Sequence, residues 1–405
     1  MRLKDFSVLN PQYKGESLDC EVSFVPMESL RNGAIDYQDI PFAEGKGKYT
    51  YFQDGDLLVA KVTPCFENGN IAIANNMKQG VGFGSSEIFV LRMNDKVLNT
   101  YMFYITQTAK FQEGACATMC GVGGLKRISP LFMRTYELDI PSLSKQQRIV
   151  DYLGVKLGKI DARIAVLEKQ QDVYARLKKS VIHQTVTRGL NPNVPLKDSG
   201  VEWIGMIPEH WEVKRIKELC SFVSRGATPN YVDEGEYKVM NQAVFSTGNL
   251  NHKVVRYSSY MKSESQIKKG DLLIASTGGG VLGKLYFFDD EDLNFYADTH
   301  VTIVRSEKGL FCVKFLFYLL SYQFDMVNAC MAKGSTNQTE LQRDCLLSYE
   351  LAIPSLVEQQ TIIAYLDEKC AKIDTATENI GKQIDALKRL KRALINEVVT
   401  GQRAV

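Results

Sequence analysis

Residues 140–188 of the chain read IPSLSKQQRIVDYLGVKLGKIDARIAVLEKQQDVYARLKKSVIHQTVTR, and residues 353–401 repeat this stretch without a gap at an offset of 213. Identical residues occupy 22 of the 49 aligned positions. The same offset relates residues 2–4 to residues 215–217, and residues 136–138 to residues 349–351. The chain is therefore a tandem duplication, which predicts internal two-fold symmetry. Two-fold symmetry in a protein often mirrors a symmetric partner, of which duplex DNA is the commonest.

Both copies of the repeated stretch are predicted to be long helices, because apolar residues recur at spacings of three and four along each of them. The apolar stripe consists of Ile149, Leu153, Leu157, Ile160, Ile164, Leu167, Tyr174, Leu177 and Val181 in the first copy, and of Ile362, Leu366, Cys370, Ile373, Ile380, Ile384, Leu387, Leu390 and Leu394 in the second. Ser144-x-x-Gln147 and Ser355-x-x-Glu358 fit capping boxes at the two helix starts.

Each stripe has to be buried, and the simplest partner for one helix is the other. About 165 residues lead from the end of the first helix to the start of the second, so antiparallel packing with a globular body at each end satisfies the connection. The stripe is polar at Gln171, where the second copy has Ile384. Gln171 either fixes the register of the pair from within the seam or lies on its rim.

A mixed α/β body of about 140 residues precedes each helix. Matching turn-strand units open at Gly55-Asp56 and Gly270-Asp271, further strands are expected at residues 88–91 and 301–304, and helices at residues 100–111 and 311–326. The bodies match in layout but little in sequence. Residues 189–208 carry three prolines and three glycines and are interpreted as the linker between repeats. Helices that are alike and bodies that differ indicate a constant scaffold with two different binding heads.

Composition excludes several classes of protein. The 405 residues are 45% hydrophobic and carry a net charge of +2, unlike a protein that coats DNA generally, although a basic face can still be presented locally. Nine cysteines occur without any C-x-x-C, so neither a zinc site nor a disulfide framework is supported, and free thiols in a reducing cytoplasm are expected. The most apolar run, residues 310–320, is too short to span a bilayer.

The sequence resembles the specificity subunit of Type I restriction-modification systems. The resemblance rests on Ile140-Pro141-Ser142-Leu143 with Gln146-Gln147, and on their second copy at residues 353–356 and 359–360. Residues 197–211, KDSGVEWIGMIPEHW, resemble the family's join before a second recognition domain, and residues 333–338, KGSTNQ, resemble its late recognition-domain loop. The resemblance covers essentially the whole chain.

The resemblance implies an α+β fold. Two globular mixed α/β target-recognition domains would be joined by two long helices forming an antiparallel coiled coil, with a pseudo-two-fold axis from the tandem duplication. The expected divisions are a first recognition domain at residues 1–141, a first helix at 142–188, a linker at 189–213, a second recognition domain at 214–354 and a second helix at 355–405.

Three strings imitate catalytic motifs. Gly278-x-Gly280-x-x-Gly283 has dinucleotide-binding spacing, but the run after it looks like a strand, and Leu285 stands where a phosphate-binding loop needs Ser or Thr. Residues 10–13, NPQY, partly match an adenine-methyltransferase motif and are interpreted as a surface turn. The four histidines form no cluster. Two alternatives remain: an enzyme with a cofactor at the Gly278 loop, and a two-headed coiled-coil adaptor that does not bind DNA.

By the resemblance, the chain itself is not an enzyme. Each recognition domain would read one half of a split DNA target through base edges in the major groove. The expected DNA-binding residues are polar or basic residues of the loops: Lys61, Thr63, Asn68, Asn70, Ser85, Ser86, Lys126 and Arg127 in the first body, and Arg225, Ser276, Thr277, Lys284, Ser335, Asn337, Gln338 and Arg343 in the second. Solvated loop positions are the alternative for these residues.

The resemblance also implies partners. These are double-stranded DNA with a bipartite target, two methyltransferase subunits that use S-adenosylmethionine, and, where DNA is cleaved, restriction subunits that use ATP and magnesium. No cofactor, metal or membrane is expected for this chain, which is expected in the cytoplasm. The coiled coil would set the spacing between the half-sites. The basic character of the first helix is either that of a solvated face or a contact to phosphate or an acidic partner.

Overall fold

The computed structural model describes residues 1–121, 124–278, 280–307, 311–322 and 340–405, together with the backbone of residues 332–333. The chain divides into two compact units. Unit 1 consists of Met1–Lys169 and Ile380–Val405, and unit 2 of Gln170–Asn379. Each unit therefore combines one α/β body with parts of both long helices.

The helices of the described residues include two that are far longer than the rest. In chain order they are α1 (Phe42–Gly45), α2 (Asn99–Thr106), α3 (Ala109–Ala117), α4 (Pro130–Thr135), α5 (Leu143–Arg188), α6 (Ile216–Leu219), α7 (Val313–Tyr322), α8 (Arg343–Ser348) and α9 (Leu356–Val399). The helix expected at residues 100–111 is divided into α2 and α3, because the Thr108 hydroxyl accepts the Phe111 N–H and starts a new helix.

The two long helices begin at equivalent positions, which corrects one capping prediction. Helix α5 starts at Leu143, directly after Ser142, and the Gln146 N–H donates to the Ser142 carbonyl at 2.9 Å. Helix α9 starts after Ser355, whose carbonyl accepts the Gln359 N–H at the same distance. The proposed capping box at Ser144 is therefore wrong, since that residue already lies within the first turn.

The long helices run antiparallel, as predicted from the duplication. In unit 1, Lys391 Nζ lies 2.7 Å from a carboxylate oxygen of Asp161. In unit 2, the Gln171 side-chain amide donates to the Thr377 carbonyl at 3.4 Å, and Lys178 Nζ lies 2.7 Å from Asp374. Residues later in α5 therefore contact residues earlier in α9. Gln171 contacts the opposite helix, which favours its seam interpretation over the rim.

The predicted apolar stripe is buried along most of its length. In unit 1, Leu153 and Leu157 of α5 share a core with Leu394 and Val398 of α9 and with the first body. The prediction is wrong at Leu177 and Leu390, whose surfaces are 45% and 52% exposed. These two leucines are equivalent under the offset of 213. Each unit therefore exposes one member of this equivalent pair.

The strands of unit 1 form two sheets and a short hairpin. They are β1 (Ser7–Leu9), β2 (Glu21–Val25), β3 (Leu30–Arg31), β4 (Ala34–Ile35), β5 (Gln38–Pro41), β6 (Thr50–Gln53), β7 (Leu57–Ala60), β8 (Ile71–Ile73), β9 (Val81–Gly84) and β10 (Ile88–Met93). One sheet has the order β1-β10-β7-β8 and is antiparallel throughout. The other has the order β5-β2-β9-β6 with β2 parallel to β9. Strand β7 is buried at all four residues, so it forms the centre of the first body.

Unit 2 repeats this construction. Its strands are β11 (Leu196–Asp198), β12 (Met206–Pro208), β13 (Glu212–Arg215), β14 (Phe222–Arg225), β15 (Tyr231–Val232), β16 (Tyr237–Met240), β17 (Arg256–Ser258), β18 (Leu272–Ala275), β19 (Leu285–Phe287), β20 (Phe295–Ala297), β21 (Val301–Arg305), β22 (Ala332–Lys333), β23 (Glu340–Leu341) and β24 (Glu350–Ile353). The order β14-β21-β18-β19 matches that of the first sheet in unit 1, and β16 and β20 again form a parallel pair. The two mixed α/β domains predicted from the duplication are confirmed.

The Gly-Asp-Leu-Leu units that precede β7 and β18 are each fixed by a buried carboxylate. Asp271 is 1% exposed, and its two oxygens accept from Arg305 Nε at 2.7 Å and Nη2 at 2.6 Å. The Lys268 N–H also donates to it, at 2.7 Å. Asp56 makes the same bidentate pair with Arg92 in unit 1 and is 2% exposed. This pair ties the turn before the central strand to the neighbouring strand.

The segment interpreted as a linker has a structure of its own in unit 2. Its glycines and prolines flank or lie within the hairpin formed by β11 and β12. The next strand, β13, pairs with β24. Trp211 is fully buried and its indole N–H donates to Glu358 at 3.2 Å. The segment is therefore packed against the second body and the start of α9 rather than free.

Candidate nucleic-acid interface

The ends of the central strands β7 and β18 are held by the same backbone connections in both bodies. The Lys61 N–H donates to the Glu87 carbonyl at 2.9 Å, and the Ser276 N–H to the His300 carbonyl at 2.8 Å. A returning segment then pairs with each strand end. The Ile128 N–H donates to the Lys61 carbonyl at 3.0 Å. In the second body, the corresponding Leu341 N–H donates to the Ser276 carbonyl at 2.9 Å.

The returning segments match residue for residue at the offset of 213. Arg127 forms bridges with Cys120 and Val62, and Glu340 forms them with Lys333 and Thr277. Three backbone positions are thus equivalent in the two bodies: Lys61, Glu87 and Arg127 in the first, and Ser276, His300 and Glu340 in the second. We call these positions the strand-end site. The scaffold of the site is the same in both bodies, whereas its side chains differ.

In the first body the strand-end site is a cluster of charges. Arg127 donates from Nε to Glu87 at 2.9 Å and from Nη2 to the other Glu87 oxygen at 2.8 Å. Lys61 Nζ donates to the Ser86 carbonyl at 2.6 Å and lies 4.6 Å from the centre of the Phe89 ring. The Thr63 hydroxyl donates to the Gly124 carbonyl at 2.8 Å. The site therefore brings together cationic donors in fixed orientations.

The environment shifts two pKa values in this cluster. The hydrogen bonds from Arg127 hold the pKa of the Glu87 carboxyl below its usual value, so this carboxylate is ionised at neutral pH. Burial lowers the pKa of Lys61, against the opposing attraction of Glu87. An Arg–carboxylate pair with two parallel hydrogen bonds fixes the plane of the guanidinium.

In the second body the same positions carry a different set of groups. The Thr277 hydroxyl and His300 Nδ1 are 2.6 Å apart, and Arg225 Nη2 donates to Glu340 at 3.2 Å. Asp298 adjoins this set, because the His300 backbone N–H donates to its carboxylate at 2.8 Å. Burial raises the pKa of the Asp298 carboxyl. Ser276 and Glu340 thus stand where the first body has the cations Lys61 and Arg127, and His300 stands where it has Glu87.

The structure places the remaining predicted residues in several environments. Lys126 and Ser85 adjoin the strand-end site, because the Lys126 N–H donates to the Thr63 hydroxyl and the Glu87 N–H to that of Ser85. Asn68 lies away from it, in a groove that Lys391 also lines, and Asn70 is buried.

In the second body, Ser276 is buried and its hydroxyl bonds to Thr302. Arg343 Nε donates to the Val223 carbonyl, and the Lys284 carbonyl accepts the Ala275 N–H. Ser335, Asn337 and Gln338 lie outside the described residues. The predicted DNA-contacting roles of all these residues stay predictions.

Sequence reasoning missed Glu87, His300 and Glu340. The duplication contained a signal for them, since the offset of 213 relates position 87 to 300 and position 127 to 340. Extending the alignment from the helices into the dissimilar bodies would have paired these positions.

The segment after Gly283 differs from the helix that follows a nucleotide-binding loop. Strand β19 follows Gly283 and pairs with β18, so the run after the glycines is a strand, as predicted. Within the described ranges, no cluster of three or more His, Cys, Asp or Glu side chains is arranged to hold a metal ion. Among the helices that the structure describes, none is long and apolar enough to cross a bilayer.

Comparison with known families decides what kind of protein this is. The family model described as the Type I restriction modification DNA specificity domain matches residues 14–171 and again residues 208–386. The chain belongs to this family. The two matches fall on the two repeats, so the duplication found in the sequence corresponds to two copies of the specificity domain.

Characterised relatives carry the same assignment. The chain is 34% identical over 152 residues to the Type I restriction enzyme EcoEI specificity subunit of Escherichia coli, an alignment that covers 36% of this chain and 26% of the relative. It is 25% identical over 398 residues to the MjaVIII specificity subunit of Methanocaldococcus jannaschii, covering 96% of this chain and 87% of the relative. The chain thus spans about a quarter of the E. coli relative and most of the archaeal one.

Solved structures support the fold. A chain from a study of complex assembly and conformational transition of the type I R-M system superposes with a TM-score of 0.76 at 17% identity, over 98% of this chain and 96% of that one. The HsdS subunit from Thermoanaerobacter tengcongensis gives a TM-score of 0.52 at 17% identity, over 100% of this chain and 96% of that one. The specificity-subunit fold predicted from the sequence is confirmed.

Proposed function

We propose that this chain is the DNA sequence-specificity subunit of a Type I restriction-modification complex, in which each body reads one half of a bipartite target. Membership of the specificity-domain family supports this function. The structural observation that carries it is the strand-end site, where one backbone arrangement presents different hydrogen-bonding side chains in the two bodies. Sequence is read by donors and acceptors that meet base edges, so two such sites would read two different half-sites.

The chemistry of the complex would reside in partner subunits. Methyltransferase subunits would bring S-adenosylmethionine, and restriction subunits would bring ATP and magnesium for cleavage. The chain would supply sequence recognition and docking surfaces without a cofactor of its own, in the cytoplasm where the DNA is.

The repeated helices offer a reason for two methyltransferase subunits. Leu177 and Leu390 are equivalent residues, one in each unit, and both are exposed. Apolar side chains exposed at equivalent points of a repeat are suited to two copies of one partner. We infer that each unit docks one methyltransferase subunit.

The function is tested by selecting the DNA sequences that the complex binds from a random pool. The chain is purified together with its methyltransferase subunit and incubated with a pool of random duplexes, and the retained duplexes are sequenced. We expect one bipartite motif with a fixed spacer to be enriched, and its affinity to fall when one base pair is added to the spacer. A matched pool is incubated with the methyltransferase subunit alone. Sequence-independent retention, or no retention at all, would count against sequence reading and favour the two-headed coiled-coil adaptor.

A further inference from the structure

The strand-end site of the first body holds an arginine in a position suited to reading a base. Arg127 is 51% exposed along its side chain, and Glu87 30%. Glu87 accepts one hydrogen bond from Arg127 Nε and one from Nη2, along one edge of the planar guanidinium. Three of the five guanidinium N–H groups remain. The outer edge, formed by Nη1 and Nη2, therefore stays available for a second pair of hydrogen bonds.

The backbone beneath Arg127 is fixed from both sides. Its N–H donates to the Cys120 carbonyl at 2.9 Å, and its carbonyl accepts the Cys120 N–H at 3.1 Å. On the other side, the Thr63 N–H donates to the Lys126 carbonyl at 3.0 Å. An exposed arginine held by a carboxylate on a paired backbone loses little conformational freedom on binding, which favours affinity through preorganisation.

The equivalent position in the second body has the opposite hydrogen-bonding character. Glu340 is 53% exposed along its side chain, and one of its oxygens accepts from Arg225 Nη2. A carboxylate accepts hydrogen bonds and donates none. The group that this position contacts must therefore be a donor, whereas Arg127 requires an acceptor.

We propose that Arg127, positioned by Glu87, reads a guanine in the half-site of the first body, and that Glu340 reads an exocyclic amino group, as on cytosine, in the half-site of the second. The proposal rests on the proposed function. Guanine presents O6 and N7 as a pair of acceptors in the major groove, which matches the free edge of a guanidinium. Cytosine presents its N4 amino group there as a donor, which matches a carboxylate.

The test compares the methylated motif of variants in cells that express the methyltransferase subunit. Arg127→Ala is expected to relax one guanine of one half-site, with discrimination at that position reduced about 5- to 150-fold. The other half-site and the spacer stay unchanged. Glu87→Gln removes the charge of the positioning carboxylate and is expected to relax the same guanine to a smaller extent. Glu340→Ala is expected to relax a single position of the opposite half-site.

The matched control is Arg134→Ala, which removes an exposed arginine of α4 in the same body and should leave the motif as in the wild type. A phosphate contact by Arg127 would instead weaken binding to all sequences equally. If Arg127→Ala still requires every base of the wild-type motif, the proposal is overturned, whether the extent of methylation is kept or is reduced equally at all sites. If Arg127→Ala methylates no site, Glu87→Gln decides, and an unchanged motif in that variant overturns the proposal. A wild-type chain that directs no motif at all would count against the proposed function instead, so the two failures are distinguishable.

Discussion

Insertion of one heptad into both long helices is expected to lengthen the spacer of the DNA target by about three base pairs and to leave both half-sites unchanged. Seven helical residues add about 10 Å, and successive base pairs rise about 3.4 Å. A whole heptad keeps the apolar stripe facing the opposite helix. The insertions belong after Lys169 and after Asn379, close to the Gln171–Thr377 contact between the helices. The measurement is the bipartite motif selected or methylated by the variant.

A second insertion provides the control for chain length. Seven glycine and serine residues after Asn193 lengthen the exposed turn beyond α5 without lengthening either helix. This variant should keep the original spacer. If the heptad variant changed the bases of a half-site and retained the spacer, the helices would not determine the spacing.

Replacement of Asp271 by alanine is expected to lower the free energy of unfolding of unit 2 by about 3–5 kcal/mol, because it leaves the largely buried Arg305 guanidinium without its counter-charge. Asp271 is 1% exposed, and its carboxylate accepts hydrogen bonds from Arg305 and from the Lys268 N–H. Urea unfolding followed by circular dichroism measures the loss. Asp56→Ala should have the same effect on unit 1, since Asp56 and Arg92 repeat the arrangement.

Two further variants separate the buried pair from the simple loss of a charge. Asp289→Ala removes a carboxylate that is 66% exposed and 3.9 Å from Lys269, so its cost should stay below about 1 kcal/mol. The double variant Asp271→Leu with Arg305→Met should recover much of the stability, since it removes both buried charges. Equal stability of Asp271→Ala and Asp289→Ala would show that the buried pair does not hold the turn.

The helices and their direction could be predicted from the sequence because a repeated apolar stripe leaves few ways to be buried. The prediction was wrong at Leu177 and Leu390, although each helix is buried again beyond them, at Ile182 in α5 and at Leu394 in α9. The two leucines therefore lie at the edge of the covered face, and periodicity contains no information on how wide that face is. Composition led residues 189–213 to be interpreted as a linker, since local composition does not reveal that Trp211 is buried in a tertiary contact.

The candidate site was only partly accessible from sequence. Arg127 and Lys61 were selected as polar or basic loop residues, but their relation to Glu87 depends on three chain segments that meet in space. Asn70 and Ser276 were selected on the same grounds and are buried. A polar loop residue is the same in the sequence whether its side chain faces solvent or the interior. Sequence composition therefore could not separate these cases.

By the proposed function, this chain determines which DNA sequence a methyltransferase modifies. The most direct measurement is single-molecule sequencing of genomic DNA from isogenic strains with and without the gene, each expressing the methyltransferase subunit, with N6-methyladenine scored at every site. We predict that one split motif is methylated only when this chain is present, and that restoring the gene restores the motif. The same methylated motifs in both strains, or none in either, would contradict the claim.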